Sequence, residues 1–257
     1  MQQSLQVAKT IQLLKLLTLS ALLAFGVAAN AQSNSAVEPV PRDTDFWQNR
    51  FAEISKRIEQ GNVDLLFVGD SITHFWEGTS VARDGTTRPA TGQAIWDRYY
   101  GNRNAASIGI AGDQTQHVLW RLDHGHVDGI SPKLAVLMIG TNNSRANTAT
   151  EIGKGIVAVV EKLNAKLPTT PILLLAIFPR GTEPSEVRSK LAEASGYAAG
   201  QLADNDMVEY LNIGAEFLDE EGGLSAEIMP DALHPSAAGY QIWAETIEPV
   251  VARYLGR

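Results

Sequence analysis

The sequence predicts an α/β domain in which a five-stranded parallel sheet lies between two layers of helices. Apolar runs alternate along the chain with segments whose apolar residues recur at helical spacing. Two of these runs, 134–139 and 172–177, are wholly apolar, which is typical of parallel strands buried on both faces. Right-handed crossovers place helices on both sides of such a sheet, so we expect a three-layer α/β/α sandwich.

The alternation also gives the order of the elements. Apolar runs predict strands near 63–70, 104–110, 133–140, 171–178 and 208–213. Helical patterns predict helices near 45–60, 113–123, 149–167, 184–204 and 236–254. One connection breaks the rhythm, because residues 77–92 are polar, glycine-rich and longer than a usual connection. We expect a long loop there, and its position after the first strand suggests a part in substrate choice.

The amino-terminal residues have the composition of an export signal. Lys9 and Lys15, with no acidic residue nearby, precede an almost wholly apolar run at 16–29, and Ala-Asn-Ala at 29–31 matches an A-x-A cleavage site. The run is shorter than the roughly 18 residues needed to cross a bilayer, so cleavage is favoured over a membrane anchor.

This composition divides the chain into three parts. We expect a signal peptide at 1–31, an exposed Ser/Asn/Pro-rich leader at 32–42 and a single folded domain at 43–257. The mature protein is then secreted or periplasmic.

Composition excludes several partners and cofactors. The chain carries a net charge of -8 and has no Lys/Arg cluster, so neither nucleic acid nor an anionic membrane surface is an expected partner. It has no cysteine, so disulfides, thiolate metal sites and a cysteine nucleophile are excluded. A hydrophobic content of 44% is sufficient for a sizeable core.

Ser71 is the candidate nucleophile, because it directly follows the first predicted strand. Residues 63–71 read Val-Asp-Leu-Leu-Phe-Val-Gly-Asp-Ser. Three other motifs follow a predicted strand or precede the last helix: Gly-Ile-Ala-Gly-Asp at 109–113, Gly-Thr-Asn-Asn at 140–143 and Asp-Ala-Leu-His-Pro at 231–235. Open parallel sheets bind ligands outside the carboxyl ends of their strands, so we expect the four motifs to converge there.

Asp231 and His234 are the candidate partners of this serine. A serine hydroxyl needs a base within hydrogen-bond reach and a third group that orients the base. The two residues stand three apart in a loop that Pro235 leads into the last helix, so both can face the same sheet edge. The order Ser, Asp, His occurs in known triads, but the chain has no G-x-S-x-G motif, which argues against an ordinary α/β-hydrolase.

An acyl-transfer site also needs donors where negative charge develops. The candidates for this oxyanion hole are the backbone amides of Ser71 and Gly112 and the side-chain amide of Asn142. Each also has an ordinary structural interpretation, since serine caps helices and glycine and asparagine are common in turns.

The remaining motifs predict neither a metal nor another cofactor. His117 lies on a helical stretch and is expected to be packed or at the surface, and His124 and His126 are expected to be solvated. They have no acidic neighbours at a convincing ligand spacing. The loop at 109–112 lacks the third glycine of a dinucleotide-binding motif, and no G-x-x-x-x-G-K-[ST] motif is present.

Further motifs extend the pattern beyond the four already named: Gly-Asp-Gln-Thr-Gln-His-Val-Leu-Trp-Arg-Leu at 112–122, Phe-Pro-Arg-Gly at 178–181 and Gly-Tyr at 239–240. Together they resemble the SGNH (GDSL-type) hydrolases, and more narrowly the catalytic alpha subunits of platelet-activating-factor acetylhydrolase Ib. The resemblance covers most of residues 62–255. It implies a flavodoxin-like strand order and the SGNH hydrolase fold.

Transferred by position, the resemblance implies a nucleophile at Ser71 and a triad completed by Asp231 and His234. It also implies an oxyanion hole formed by Ser71, Gly112 and Asn142. The chain departs from the acetylhydrolase subunits in the 77–92 insertion and in its amino-terminal export signal. These departures leave substrate and subunit contacts open, although a homodimer is compatible with the resemblance.

The function that we expect is that of a secreted serine esterase. It would hydrolyse short-chain, acetyl-type carboxylic esters through an acyl-enzyme on Ser71, with acetylated carbohydrates and phospholipid acetyl esters as the candidate substrates. A lysophospholipase or thioesterase is the alternative within the enzyme class. A noncatalytic carbohydrate-binding protein is the alternative outside it, but that protein would lack a triad residue, and all three types are present.

Overall fold

The computed structural model of this 257-residue chain describes residues 33–77, 79–81 and 87–256. The expected signal peptide at 1–31 lies outside the described residues.

Five parallel strands form the central sheet. The strands of the described part are β1 Leu65–Gly69, β2 Thr79–Val81, β3 Thr87–Pro89, β4 Ala105–Ser107, β5 Leu134–Met138, β6 Ile172–Leu175 and β7 Val208–Leu211. The sheet has the order β4-β1-β5-β6-β7, and all its pairings are parallel. Counted within the sheet this order is 2-1-3-4-5, as in flavodoxin-like folds. The predicted sheet and its strand order are therefore confirmed.

Helices cover both faces of the sheet. The α-helices of the described part are α1 Asp45–Glu59, α2 Ser71–His74, α3 Gln93–Tyr100, α4 Thr115–Asp123, α5 Ala149–Lys166, α6 Glu186–Gln201 and α7 Ala237–Leu255. Buried residues of α1, α4, α5 and α6 pack with Leu66 and Val68 on one face, and those of α3 and α7 pack with Leu65 and Phe67 on the other. Successive side chains of a strand point to opposite faces, so β1 contributes to both cores. This confirms the three-layer sandwich.

Local capping explains where two of the long helices begin. At the start of α5, the Thr148 hydroxyl accepts a hydrogen bond from the amide of Glu151 (3.3 Å), whose carboxylate accepts from the amide of Thr148 (2.8 Å). At the start of α7, the Ser236 hydroxyl accepts from the amide of Gly239 (3.2 Å). The cap at Ser236 fixes the chain entering α7 two residues after His234.

The segment 77–92 is not the plain loop that the sequence predicts. Within it, β2 and β3 pair antiparallel, with Thr79 opposite Pro89 and Val81 opposite Thr87. Helix α3 follows directly and was also not predicted. It has only eight residues, and Gly92 at its start provides no side-chain cap, so the local sequence signal is weak. Its place is determined by burial of Ile95, Trp96 and Tyr100 against α7.

The expected exposed leader is docked over part of its length. The amide of the Asn34 side chain donates to the backbone oxygen of Glu151 (3.1 Å), and the Thr115 hydroxyl donates to the backbone oxygen of Ala36 (2.7 Å). Ala36 is completely buried, although most of its neighbours are exposed. Contacts with the rest of the described part are therefore already present at Asn34, upstream of Asp43. The expected division into signal peptide, leader and domain stays a prediction.

The topology brings the predicted site residues to one end of the sheet. After β1 the chain forms β4 on one side of β1 and then crosses to form β5 on the other side, so the strand order reverses there. The loops that leave β1, β4 and β5 carry three of the four motifs. None of the helices in the described ranges combines the length and the apolar character needed to cross a membrane.

Candidate active site

Ser71, His234 and Asp231 form a continuous hydrogen-bonded chain. The Nε2 atom of His234 lies 2.8 Å from the Ser71 hydroxyl, and its Nδ1 atom lies 2.7 Å from Oδ2 of Asp231. The imidazole can therefore donate from Nδ1 to the carboxylate and accept at Nε2 from the serine. The structure thus brings together the three residues that the sequence singled out.

A tight turn holds the Asp231 carboxylate against the imidazole. Its Oδ1 atom accepts hydrogen bonds from the amides of Leu233 (3.1 Å) and His234 (2.7 Å). Ala232, which directly follows Asp231 in this turn, has a positive φ of 55°, a conformation that costs a non-glycine residue about 1–2 kcal/mol. Partial burial pulls the pKa of Asp231 upward, but the hydrogen bonds from His234 and Leu233 hold it below its usual value. The carboxylate is therefore anionic at neutral pH.

Ser71 stands at the first position of α2, directly after β1. The Asp70 carboxylate caps this helix by accepting from the amide of Ile72 (3.0 Å). Ser71 is only 5% exposed, whereas the Asp231 side chain is 58% exposed. Burial, with repulsion from Asp113, raises the pKa of Asp70 to about 7. The Ser71 side of the site is therefore buried, and the Asp231 side is open to solvent.

The loop after β4 passes very close to α2. A Cβ atom on Gly109 would lie 2.5 Å from the backbone nitrogen of His74, so only glycine permits this approach. Gly112 has φ +82°, and a Cβ atom there would lie 2.9 Å from a guanidinium nitrogen of Arg42. The backbone of this loop therefore requires glycine at both positions.

In space, the Asn142 side chain lies between Asp70 of the Gly-Asp-Ser motif and Asp113 of the 109–113 motif. Its Nδ2 atom donates to the backbone oxygen of Asp113 (2.9 Å) and lies 3.5 Å from Oδ2 of Asp70. Gln114 in turn donates to the backbone oxygen of Asn142 (2.9 Å). One amide hydrogen of Asn142 is thus held firmly, and the other is only weakly engaged.

Beneath these loops lies a buried ion pair between Asp113 and Arg121. The two side chains are fully buried, with Arg121 Nε 2.8 Å from Oδ2 of Asp113. Trp47 donates its indole N–H to the same carboxylate (2.8 Å), and Arg121 also donates to the backbone oxygen of Ile108 (2.8 Å). Burial raises the pKa of Asp113, while the charge of Arg121 opposes the shift. Each of the three guanidinium nitrogens of Arg121 has an acceptor within hydrogen-bond distance, which helps to offset the cost of the buried charge.

Three histidines outside the proposed triad are held neutral by burial and, to a smaller extent, by the charges of nearby arginines. Burial, then repulsion from nearby arginines, lowers the pKa of His74 to about 3 and that of His117 to about 4. His126 is completely buried, which corrects the expectation that it is solvated, whereas His124 is exposed as expected. The Nδ1 atom of His126 lies 3.1 Å from Nη1 of Arg121, and burial, with the charge of Arg121, lowers the pKa of His126 to about 2.

His117 has a structural role at the start of α4. Its Nδ1 atom accepts from the amide of Gln114 (2.9 Å), which completes a capping box. In the described part of the chain, no group of three or more His, Asp or Glu side chains is arranged to hold a metal ion.

A groove of about 290 Å³ opens beside His234. The Phe75 ring lies 5.2 Å from the imidazole and is half-buried. Among the described residues, the groove is lined by Phe75, Thr91, Pro230, Asp231, His234 and Pro235. The groove is therefore mostly apolar, and its one charged side chain in the described part is acidic.

Sequence reasoning did not single out Phe75, His74 or Arg42. Phe75 and His74 follow Ser71 on α2 and its C-cap, so helical spacing from the nucleophile was an available signal. Arg42 contacts the loop 69 residues away in sequence, and no local pattern indicates such a contact.

The comparison with protein-family models identifies the class. The GDSL-like lipase/acylhydrolase model matches residues 67–242, which includes all five predicted site residues. The chain belongs to this family and is an ester hydrolase.

The curated relatives narrow the similarity. The chain is 31% identical to the alpha2 subunit of rat platelet-activating factor acetylhydrolase IB over 220 residues, covering 86% of this chain and 89% of that one. It is 28% identical to the human alpha1 subunit over 232 residues, covering 89% and 94% of the two chains. The resemblance inferred from the motifs is therefore confirmed.

Solved structures support the fold. A GDSL-like lipase from Bacteroides thetaiotaomicron superposes with a TM-score of 0.60 at 17% identity, covering 81% of this chain and 98% of that one. An acetylxylan esterase from Geobacillus stearothermophilus superposes with a TM-score of 0.53 at 20% identity, covering 75% and 93%.

The neutral His126 generates a prediction about acid stability. Its folded pKa is about 2, so below the ordinary value of 6.5 the unfolded chain binds one more proton than the folded chain. Stability therefore falls as pH falls through this window, by up to about 1.4 kcal/mol per pH unit from this residue. Replacing His126 with Gln, which can contact Arg121 and the backbone oxygen of Phe51 without titrating, should make this slope shallower. Urea unfolding at pH 6, 5 and 4 measures how the free energy of unfolding depends on pH. Identical slopes for the wild type and His126→Gln would contradict the lowered pKa of His126.

Proposed function

We propose that the protein hydrolyses short-chain carboxylic esters with Ser71 as nucleophile, His234 as general base and Asp231 as the group that orients His234. The hydrogen-bonded chain of these three side chains carries the proposal. All are provided by this one chain, from the start of α2 and from the turn before α7, at the same sheet edge. The reaction class agrees with the acylhydrolase family to which the chain belongs.

In the first half of the reaction, Ser71 Oγ attacks the ester carbonyl carbon and its proton passes to Nε2 of His234. The tetrahedral intermediate collapses when the bond to the alcohol oxygen breaks and His234 returns the proton to that oxygen. Water then attacks the acyl-enzyme, with His234 again taking and returning a proton. The anionic Asp231 stabilises the imidazolium that forms in both halves.

The oxyanion donors in this proposal are the amides of Ser71 and Gly112 and the Nδ2 group of Asn142. The Nδ2 hydrogen of Asn142 that faces Asp70, across a long N···O distance of 3.5 Å, is the one able to turn toward the substrate. Its other hydrogen stays on the backbone oxygen of Asp113 and holds the side chain in place. Such preorganised donors stabilise charge that develops only in the transition state.

The groove beside His234 accommodates the leaving alcohol. His234 must protonate the departing oxygen, so the alcohol lies on the imidazole side of Ser71, where Phe75 and Thr91 line the groove. The described lining contains the carboxylate of Asp231 and no cation. A neutral alcohol with an apolar face fits this lining better than an anionic group in direct contact with it.

Acetyl esters are the proposed substrate class. The curated relatives are acetylhydrolases by name, which supports an acetylated lipid alcohol such as a platelet-activating-factor-like phospholipid. An acetylated sugar is the second candidate, because the open groove beside Phe75 favours a ring that presents an apolar face. A panel of acyl-chain lengths, acetylated sugars and a 2-acetyl phospholipid distinguishes these candidates and tests lysophospholipase or thioesterase activity.

Substitution of Ser71 or His234 tests the mechanism. Ser71→Ala and His234→Ala should each remove nearly all esterase activity, because the nucleophile and base act as a unit. Wild-type turnover by folded Ser71→Ala would refute the acyl-enzyme. As a second readout, a fluorophosphonate should label the wild-type protein at Ser71 and leave Ser71→Ala unlabelled.

Substitution of Phe75 tests the leaving-group assignment. Phe75→Ala should lower kcat/KM for an acetylated sugar or an acetyl phospholipid roughly three- to tenfold, as expected for loss of an aromatic contact of about 0.5–1.5 kcal/mol. Ethyl acetate, whose alcohol is too small to reach the ring, should be affected less. Tyr254→Ala, on the exposed end of α7, is the matched aromatic control. An equal loss on ethyl acetate would show that Phe75 supports His234 instead.

Export is proposed from the amino-terminal sequence. Residues 1–31 would be removed as a signal peptide, leaving a secreted or periplasmic enzyme whose first residue is Gln32. Intact-mass analysis of the protein from its native host provides the test. Recovery of the uncleaved chain alone would refute the proposal.

A further inference from the structure

The peptide unit between Ala111 and Gly112 carries both a clamped oxygen and a candidate oxyanion donor. Arg42 Nη1 donates to the backbone oxygen of Ala111 at 2.8 Å. The N–H of Gly112 belongs to the same planar trans peptide, so it points away from that oxygen. A contact that fixes the oxygen therefore fixes the direction of the N–H.

This peptide needs such a clamp because glycine follows it. Gly112 has φ +82°. Glycine populates positive and negative φ about equally, so the peptide before a glycine rotates more easily than the peptide before any other type of residue. The neighbouring groups are held by other contacts. The amide of Ala111 donates to Nδ1 of His74 (3.3 Å), and the amide of Asp113 donates to the backbone oxygen of Ile110 (3.1 Å).

Arg42 is itself well placed to act as the clamp. Its guanidinium also lies 3.5 Å from Oδ1 of Asp113, and its side chain is 27% exposed. Gln48 on α1 donates to the backbone oxygen of Arg42 (2.7 Å). A hydrogen bond from a cation to the oxygen of a peptide also polarises that peptide, which strengthens its N–H as a donor.

We propose that Arg42 is a positioning residue of the oxyanion hole. Its guanidinium holds the Ala111–Gly112 peptide with the N–H of Gly112 directed at the reacting carbonyl oxygen, and it strengthens that donor. Arg42 does not itself touch the substrate. This inference rests on the proposed function, since it assigns the Gly112 amide to the oxyanion hole.

Arg42→Gln in the otherwise intact mature protein tests the inference. Gln keeps a polar side chain but removes the charge, so kcat for a small acetyl ester should fall about tenfold, with KM within about twofold. This is less than the roughly 100- to 1,000-fold loss expected for Asn142→Ala, which removes a donor outright. Arg42→Lys, which keeps the charge, should recover part of the kcat. The rate of fluorophosphonate labelling of Ser71 should follow kcat in both variants.

Arg50→Gln is the matched control. Arg50 donates to the backbone oxygens of Ser107 (3.2 Å) and Gly109 (3.3 Å), so it supports the same loop without contacting the Gly112 peptide. The kcat of Arg50→Gln should stay within about threefold of the wild-type value, even if the variant unfolds at a lower urea concentration.

Three results would overturn the inference: equal losses of kcat in the Arg42 and Arg50 variants, a change confined to KM, or no advantage of Lys over Gln at position 42. Measuring Ser71→Ala in the same series tests the proposed function separately from the role of Arg42. If Ser71→Ala is inactive while Arg42→Gln keeps wild-type kcat, only the role of Arg42 fails. If Ser71→Ala is active, the proposed function fails and the role of Arg42 with it.

Discussion

The buried ion pair between Arg121 and Asp113 is the interaction on which the site depends. Arg121 joins the ends of two strands, because it donates to the backbone oxygens of Gly69 (3.3 Å) and Ile108 (2.8 Å) as well as to Asp113. The backbone oxygen of Asp113 then holds the side chain of Asn142. The strand ends that carry the proposed nucleophile and both proposed loop donors are thus connected through one guanidinium and one carboxylate.

Such a pair is stable only when its remaining polar groups are matched. Desolvation of two charges is costly, and removal of one partner from a buried pair typically costs about 3–5 kcal/mol. The indole of Trp47 supplies a further donor to the carboxylate, and the neutral imidazole of His126 accepts from Arg121. Protonation of His126 would place a second cation against Arg121, which connects the stability of this network to acid pH.

The acid–base half of the site is held in a different way. The turn of Asp231 and His234 is half-exposed and is fixed mainly by its own backbone, with Ala232 at positive φ. One external contact is the amide of Gly181, which donates to the backbone oxygen of Ala232 (2.8 Å). Arg188 on α6 secures this neighbouring loop by donating to the backbone oxygen of Gly181 (2.6 Å). The buried half therefore fixes the position of Ser71, and the open half is the side from which the proposed function has the substrate enter and the alcohol leave.

The sequence by itself determined the layers of the fold and the sheet edge at which the three residues of the proposed triad meet. Continuous apolar runs such as 134–139 identify buried parallel strands from neighbouring residues alone, and a motif directly after a parallel strand lies at a known sheet edge. The meeting of Ser71 with His234, 163 residues apart, was predictable for this reason.

Tertiary structure alone decided the contacts between segments without periodicity or a motif. Helix α3 and the β2–β3 hairpin were not predicted, since the first is short and uncapped and the second lies in a polar, glycine-rich stretch. The burial of His126 and the contact of Arg42 with Ala111 depend on residues 75 and 69 positions away, respectively. Local sequence records what a segment prefers, whereas burial and charge pairing depend on which segments the fold brings together.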